Sequence, residues 1–334
     1  MNPDAASPIL RVAFADGFSA MLADRVRSHL DIPCEIALPD ESGKIARLSE
    51  TDVLVTLAFT PEMGAVARRL KLVQVPGAGL DRIDRRALPP GAALANAYGH
   101  EAGIAEYVLG AMLAWSRDLA RLDARLRLGH WESVWAVPVA PPAPWPELGG
   151  KTLGILGYGR IGQAVAKRAR AFDMEVWAIR RDAMRTEPDG LAFLGGPDTL
   201  DEVLKRADYL VLTLPLTDAT RGLLGEREFQ LMKPTAILIN VARAEIVDEV
   251  ALYRALAQKT IAGAALDVWY RYPTGPGPTF PARQAFHELP NVLMTPHVSG
   301  WTEGTLEARA RLIAENICRV ARGEPPVNLI RPSD

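Results

Sequence analysis

The chain has 334 residues and a formal net charge of -2, with 49% apolar and 23% charged residues. That length exceeds one ordinary core and predicts two domains. A near-neutral charge excludes the basic face of a nucleic-acid binder. Cys34 and Cys318 stand far apart with no metal-ligand spacing, so no metal centre is expected. A reduced cytoplasmic protein is the simpler reading, although spacing alone leaves a disulfide open. Met1–Arg11 carries no basic stretch followed by a long apolar run, and no apolar segment is long enough for a membrane span.

In chain order, Ile9–Ala15 reads as a strand and Ala20–Leu30 as a helix. Asp52–Ala58 is a second strand, Pro61–Leu70 a helix, and Leu72–Val75 a third strand running into Pro76-Gly77-Ala78-Gly79. This βα rhythm predicts a parallel sheet covered on both faces. Glu101–Arg127 has apolar residues at helical spacing and reads as one long helix, a structural spine suited to a dimer interface. The segment 137–146 follows; five prolines between Trp131 and Pro146 exclude helix interior and central strand, leaving a loop or arm.

A second βα series begins at Lys151. Thr152–Leu156 is a buried strand, Arg160–Phe172 a helix and Glu175–Ile179 the next strand. Asp208–Leu212, Ala236–Asn240 and Gly263–Leu266 are further strands, and Thr302–Arg322 is a long amphipathic helix. The fold class expected is α/β, with two doubly wound parallel-sheet domains.

Between the first strand and helix of that second series stands Gly157-Tyr158-Gly159-Arg160-Ile161-Gly162. G-x-G-x-x-G is weak alone but informative after a strand and before a helix. Gly157 permits the tight turn, Gly159 lets backbone approach a pyrophosphate, and Gly162 lets the helix pack on the strand. The N–H groups of Arg160 and Ile161, at the positive end of the helix dipole, suit phosphate oxygens. The expected ligand is a dinucleotide. An acidic residue after the next strand would accept from a ribose 2′-hydroxyl, but Arg180-Arg181 stands there. Arginine cannot accept a hydrogen bond, yet it grips a 2′-phosphate bidentately. NADP, as NADPH, is therefore preferred, and NAD stays open through Asp182.

These blocks, with several others in order, resemble the D-isomer-specific 2-hydroxyacid dehydrogenase family, in its glyoxylate/hydroxypyruvate reductase-like form. Pro76–Asp84, Leu148–Thr152, Leu214–Leu224, Met232–Pro234, Asn240–Glu249, Ala264–Trp269 and Thr295–Gly300 carry the resemblance, which covers most of the chain. It implies two Rossmann-like domains with the active site in the cleft between them. Residues 1–100, completed by 300–334, would form the substrate domain, and 101–299 the dinucleotide-binding domain. It also implies a homodimer, a small 2-oxo or 2-hydroxy acid as substrate, and D-stereospecific hydride transfer. Backbone N–H groups at Ala78 and Gly79 would hold the substrate carboxylate. Arg243 would clamp that carboxylate and polarise the carbonyl, and His297 would be the acid–base residue. Val241, Ala242, Asp267 and Gly300 would line the cofactor site, Asp267 at the nicotinamide carboxamide.

One departure stands out. The family commonly has a glutamate five residues after the aspartate matching Asp267, where it pairs with the histidine. Here Tyr272 occupies that position. A neutral phenol can hydrogen-bond an imidazole but lends it no charge, so His297 is expected to lose its proton at lower pH than in relatives. Glu106 is a candidate substitute acid. Phe59, Thr60, Trp135 and Trp301 are candidate pocket residues, with core or loop packing the plainer role for each. Two other functions stay open: dehydrogenation of another small anion such as formate, and a non-catalytic dinucleotide sensor.

Overall fold

The computed structural model describes residues 9–39, 43–135, 143–182 and 190–331. It divides into two compact units, Met1–His100 with Thr302–Asp334, and Glu101–Trp301. Most of the proline-rich segment 137–146 lies outside the described residues.

The first unit runs β1 (Leu10–Phe14), α1 (Gly17–Ser28), β2 (Cys34–Ala37), α2 (Lys44–Leu48), β3 (Val53–Val55), α3 (Pro61–Val66), β4 (Leu72–Gln74) and β5 (Ala93–Ala95). The second contains α4 (Glu101–Arg117), α5 (Leu119–Arg127), β6 (Thr152–Leu156), α6 (Arg160–Arg170), β7 (Glu175–Ile179), β8 (Phe193–Gly195), α7 (Leu200–Arg206) and β9 (Tyr209–Leu212). It continues through α8 (Glu226–Leu231), β10 (Ile237–Asn240), α9 (Glu249–Ala257), β11 (Gly263–Leu266) and β12 (Val292–Met294). The chain then returns to the first unit as α10 (Glu303–Ala321).

Every strand pairing in the first unit is parallel, in the order β2-β1-β3-β4-β5. Side chains alternate across the sheet. Val12, Phe14, Val53 and Val55 pack beneath α1 and α10, against Leu22, Val26, Ile313 and Ile317. Ala13, Leu54 and Val73 face the other way, against Met63 of α3. Local signals fix the helix starts. Asp16 accepts from the Ser19 N–H, Thr60 from Met63 with Pro61 opening the helix, and Thr302 from Thr305.

The second sheet is also all parallel, in the order β12-β11-β10-β9-β6-β7-β8. Renumbered from β6, this is the 3-2-1-4-5-6 dinucleotide-binding order with a seventh strand added. Leu153, Ile155, Val176 and Ile239 pack under α4 and α6, where Ile104, Val108, Met112 and Val165 meet them. Leu210, Leu212, Leu238 and Leu266 face α7, α8 and α9 on the other side. The two Rossmann-like parallel sheets expected from the sequence are thus both present.

One sequence expectation needs correction. The helix read as continuous over Glu101–Arg127 breaks at Asp118, whose φ of 47° is left-handed; aspartate tolerates that conformation better than most residues. The cysteines agree with the reduced reading: Cys34 and Cys318 are both free thiols, and the disulfide that spacing alone left open is not formed. Among the described residues, no helix is long and apolar enough to cross a membrane.

Candidate active site

The glycine loop follows β6, where the strand order reverses between β7 and β9; ligands in such sheets bind at this switch point. Gly157 has φ 104°, and a Cβ there would lie 2.6 Å from the Leu214 nitrogen. Its carbonyl accepts the Thr213 hydroxyl at 2.7 Å. A Cβ on Gly162 would meet the Gly157 oxygen at 2.6 Å, so α6 packs against the loop only because position 162 is bare. Gly159 differs: a Cβ there would meet nothing within 4 Å. As N-cap of α6 it supplies no side chain to the first N–H groups of an 11-residue helix. Open space above uncapped N–H groups is what a dinucleotide pyrophosphate requires, so the residues present fit that group. Arg160, 62% exposed, lies 4.0 Å from Glu101, and Ile161 is half-buried beside it.

At the end of β7, the Arg180 N–H donates to the Gly195 carbonyl at 3.0 Å, which ties its backbone to the edge strand. Arg181 and Asp182 are exposed. Both arginines thus sit beside the switch point on a fixed strand end.

His297 lies in the loop between β12 and α10, with a left-handed φ of 58°. Its Nδ1 is 2.8 Å from the Tyr272 hydroxyl. The Trp269 N–H approaches the same oxygen at 3.4 Å. Burial holds the Tyr272 phenol above its ordinary range, partly offset by the Trp269 N–H and by Arg243. The phenol therefore stays neutral at physiological pH. A hydroxyl both donates and accepts. It can give its proton to Nδ1 of a neutral imidazole, leaving a proton on Nε2, or accept from Nδ1–H of a charged one. A carboxylate could only accept and would favour the charged ring.

The His297 loop hangs from Asp267, which is fully buried at the end of β11. Asp267 accepts from the Thr295 hydroxyl at 2.6 Å and from the Val298 and Ser299 N–H groups, each at 2.8 Å. Trp269 Nε1 donates to the Thr295 carbonyl at 2.8 Å. Gly300 is half-buried at the end of this loop.

Arg243 follows β10, with Val241 and Ala242 buried beneath it. Asn240 brackets the turn: its Nδ2 donates to the Arg243 carbonyl at 2.9 Å and its Oδ1 accepts from Ala242 N–H at 3.0 Å. The Arg243 guanidinium donates to the Ala242 carbonyl at 2.8 Å and is close enough to act on the Tyr272 phenol. The second unit thus brings together Arg243, Tyr272, His297 and Asp267.

Ala78 and Gly79 belong to the first unit, in the loop after β4. Ala78 is half-buried and Gly79 exposed. Buried Asn96 donates to the Ala78 carbonyl at 3.0 Å, and the Ala97 N–H donates to the Gly77 carbonyl at 3.1 Å. Beneath them, Asn316 donates to the Gln74 side chain at 2.6 Å.

The structure also places the remaining sequence candidates. Phe59 is 1% exposed and packs in the core of the first unit. The Thr60 hydroxyl caps α3. Trp135 is 86% exposed and Trp301 45%. Glu106 pairs with Arg168 on α6 at 3.4 Å, while His297 Nδ1 takes Tyr272 as partner. Sequence reasoning missed Asn240, Asn96, Tyr107 and Thr295 as positioning groups. Asn240 had a usable signal, an amide directly after an apolar strand, because Asn side chains bond nearby backbone.

A 3-2-1-4-5-6 sheet with a glycine-lined helix start at its switch point and a poised histidine defines a nicotinamide-dependent oxidoreductase. The model of the D-isomer specific 2-hydroxyacid dehydrogenase NAD binding domain matches residues 109–299. A glyoxylate reductase of Thermococcus gammatolerans is 35% identical over 315 residues, 92% of this chain and 91% of that protein. The chain belongs to the D-isomer specific 2-hydroxyacid dehydrogenase family, enzymes that act on CH–OH groups. Among solved structures, an NADPH-dependent glyoxylate/hydroxypyruvate reductase from Sinorhizobium meliloti, in complex with NADP and malonate, is similar with TM-score 0.77 and 28% identity, covering 96% of each chain. An acyclic imino acid reductase in complex with NADPH and D-Arg is similar with TM-score 0.77 and 28% identity, covering 96% of this chain and all of that one.

Proposed function

We propose that this protein is an NADPH-preferring, D-specific reductase of small 2-oxo acids such as glyoxylate. The observation that carries the reading is the convergence of Arg243 and His297, through Tyr272, in the unit that holds the glycine loop. A nicotinamide held at the glycine loop would supply the hydride that the carbonyl carbon takes up. His297 in its charged form, with Nδ1–H donating to the Tyr272 oxygen, gives the Nε2 proton to the carbonyl oxygen as that oxygen gains charge and is left as the neutral imidazole. Arg243 holds the substrate carboxylate with its planar fork and polarises the carbonyl. Backbone N–H groups of Ala78 and Gly79 share the carboxylate by family resemblance, and Val241, Ala242 and Gly300 border the cofactor. The N–H groups of Arg160 and Ile161 hold the pyrophosphate, and Arg180 and Arg181 bind the 2′-phosphate. NADP of the Sinorhizobium meliloti enzyme supports the cofactor preference. By the same resemblance the protein acts as a cytoplasmic homodimer.

Chiral analysis of the product from NADPH and a prochiral 2-oxo acid tests this. The D-hydroxy acid is expected; the L-isomer, or no product, contradicts it.

A second reading is favoured by Tyr272. A neutral partner for His297 suits a substrate that arrives with its own proton, such as the iminium formed from a 2-oxo acid and an amine. The acyclic imino acid reductase supports it. Added ammonium or methylamine would then raise NADPH consumption and yield an amino acid.

A further inference from the structure

The His297 loop is held in part by a helix far from it in sequence. Tyr107 stands on α4, the first helix of the second unit, and Thr295 on the last loop before the chain leaves that unit. The Tyr107 hydroxyl and Thr295 Oγ1 are 2.6 Å apart, although 188 residues separate them in sequence. The direction of that bond follows from the next one. Thr295 Oγ1 donates to Asp267 Oδ1 at 2.6 Å, which uses its single proton. Tyr107 is therefore the donor, and the hydrogen bonds run one way, from Tyr107 to Thr295 to Asp267.

Asp267 in turn accepts the Val298 and Ser299 N–H groups at 2.8 Å, the two peptides that directly follow His297. The Thr295 carbonyl takes the His297 N–H at 3.1 Å and the Trp269 indole at 2.8 Å. Thr295 is thus the joint at which α4, β11 and the histidine loop meet. A joint is needed there because His297 holds a φ of 58°. Such backbone is unfavourable outside glycine and persists only where its surroundings over-determine it. Burial holds the Tyr107 phenol above its ordinary range, so it keeps its proton and remains a donor at neutral pH.

We propose that Tyr107 and Thr295 are positioning residues for His297: the Tyr107–Thr295–Asp267 relay fixes the loop that aims the imidazole at the reacting oxygen. Tyr107 itself touches neither substrate nor cofactor in this role. The inference rests on His297 being the proton donor of the proposed reductase.

Two readouts in the full-length protein test it. The first is steady-state reduction of glyoxylate with NADPH. The second is amide hydrogen exchange at Val298 and Ser299 without substrate. Tyr107→Phe keeps the ring and removes the hydroxyl. It is expected to lower kcat roughly three- to tenfold, the value of one hydrogen bond, with KM for NADPH unchanged, and to speed exchange at both amides. Thr295→Val should lose more, and Thr295→Ser, which restores the hydroxyl, should recover most of the rate. Tyr107→Phe with either kcat or exchange at the wild-type value overturns the proposal, as does failure of Thr295→Ser to outperform Thr295→Val. If wild-type protein turns over no 2-oxo acid, the reductase reading fails, and the exchange result alone decides whether the relay holds the loop.

Discussion

The Tyr272 hydroxyl lies 2.8 Å from Nδ1 of His297, at the sequence position where the resemblance places a carboxylate. The phenol holds the ring in either protonation state without favouring the charged one. Tyr272→Glu supplies the missing charge, and a nearby opposite charge raises an imidazole pKa by roughly one to three units. The alkaline limb of the reduction rate should therefore move to higher pH. An unmoved limb in a pH–rate profile would show that Tyr272 does not set the protonation of His297.

The glycine loop separates packing from binding. Gly162→Ala places a methyl group 2.6 Å from the Gly157 carbonyl. It should destabilise the cofactor-free protein by about 1–3 kcal/mol, the usual cost of overpacking. Gly159→Ala meets nothing within 4 Å. That variant should melt like wild type without cofactor and bind NADPH more weakly, because the methyl occupies the pyrophosphate's space. Thermal melts with and without NADPH check both; a melting loss in Gly159→Ala without cofactor would contradict the assignment.

Asn240 makes two hydrogen bonds across the Arg243 turn, at 2.9 and 3.0 Å. Asn240→Ala leaves the Arg243 carbonyl and Ala242 N–H without that bracket. A stability loss of about 1–3 kcal/mol is expected, together with a raised KM for the 2-oxo acid as the guanidinium loses its fixed base. Denaturant titration and substrate kinetics would detect each; wild-type KM in a folded variant would argue that Arg243 needs no such support.

Alkaline stability follows from the buried phenols. Burial raises the Tyr270, Tyr209, Tyr158 and Tyr107 hydroxyls above the ordinary value of 10.0, and Tyr270 also faces Glu249, Asp248 and Glu245. A raised folded-state pKa means the folded protein keeps its proton longer than the unfolded chain. That stabilisation is complete below the unfolded value and is lost as pH rises through and beyond it. The unfolding midpoint should fall above about pH 10. Tyr270→Phe should fall less steeply, although it lacks the 2.9 Å bond to the Val247 carbonyl throughout. A midpoint flat to about pH 11 would refute the argument.

What the sequence revealed of the fold has a simple limit. The strands missed were β2, β5, β8 and β12, which are the two edges of each sheet. Their residues are mostly half-buried, whereas β6, β9, β10 and β11 are buried throughout. A strand covered on both faces reads as an unbroken apolar run, and an edge strand of three or four residues does not. The short helices α2, α7 and α8 gave too few turns for a clear period. In the candidate site, Gly157, Arg243, Tyr272 and His297 could be singled out from sequence because each lies in a local pattern. Tyr107, Thr295 and Asn96 were not: their roles depend on partners that only folding brings near, across 188 residues for Tyr107 and 18 for Asn96.

The central claim is tested most directly by measuring kcat/KM for NADPH and NADH across 2-oxo acids from glyoxylate to phenylpyruvate, in wild type and in Arg180→Ala/Arg181→Ala. Wild type should prefer NADPH, and the double variant should lose that preference by roughly tenfold or more, the value of charge-assisted bonds to a phosphate. Tight NADPH binding with no turnover of any 2-oxo acid would contradict the account and leave a dehydrogenase of another small anion, or a dinucleotide sensor, in its place.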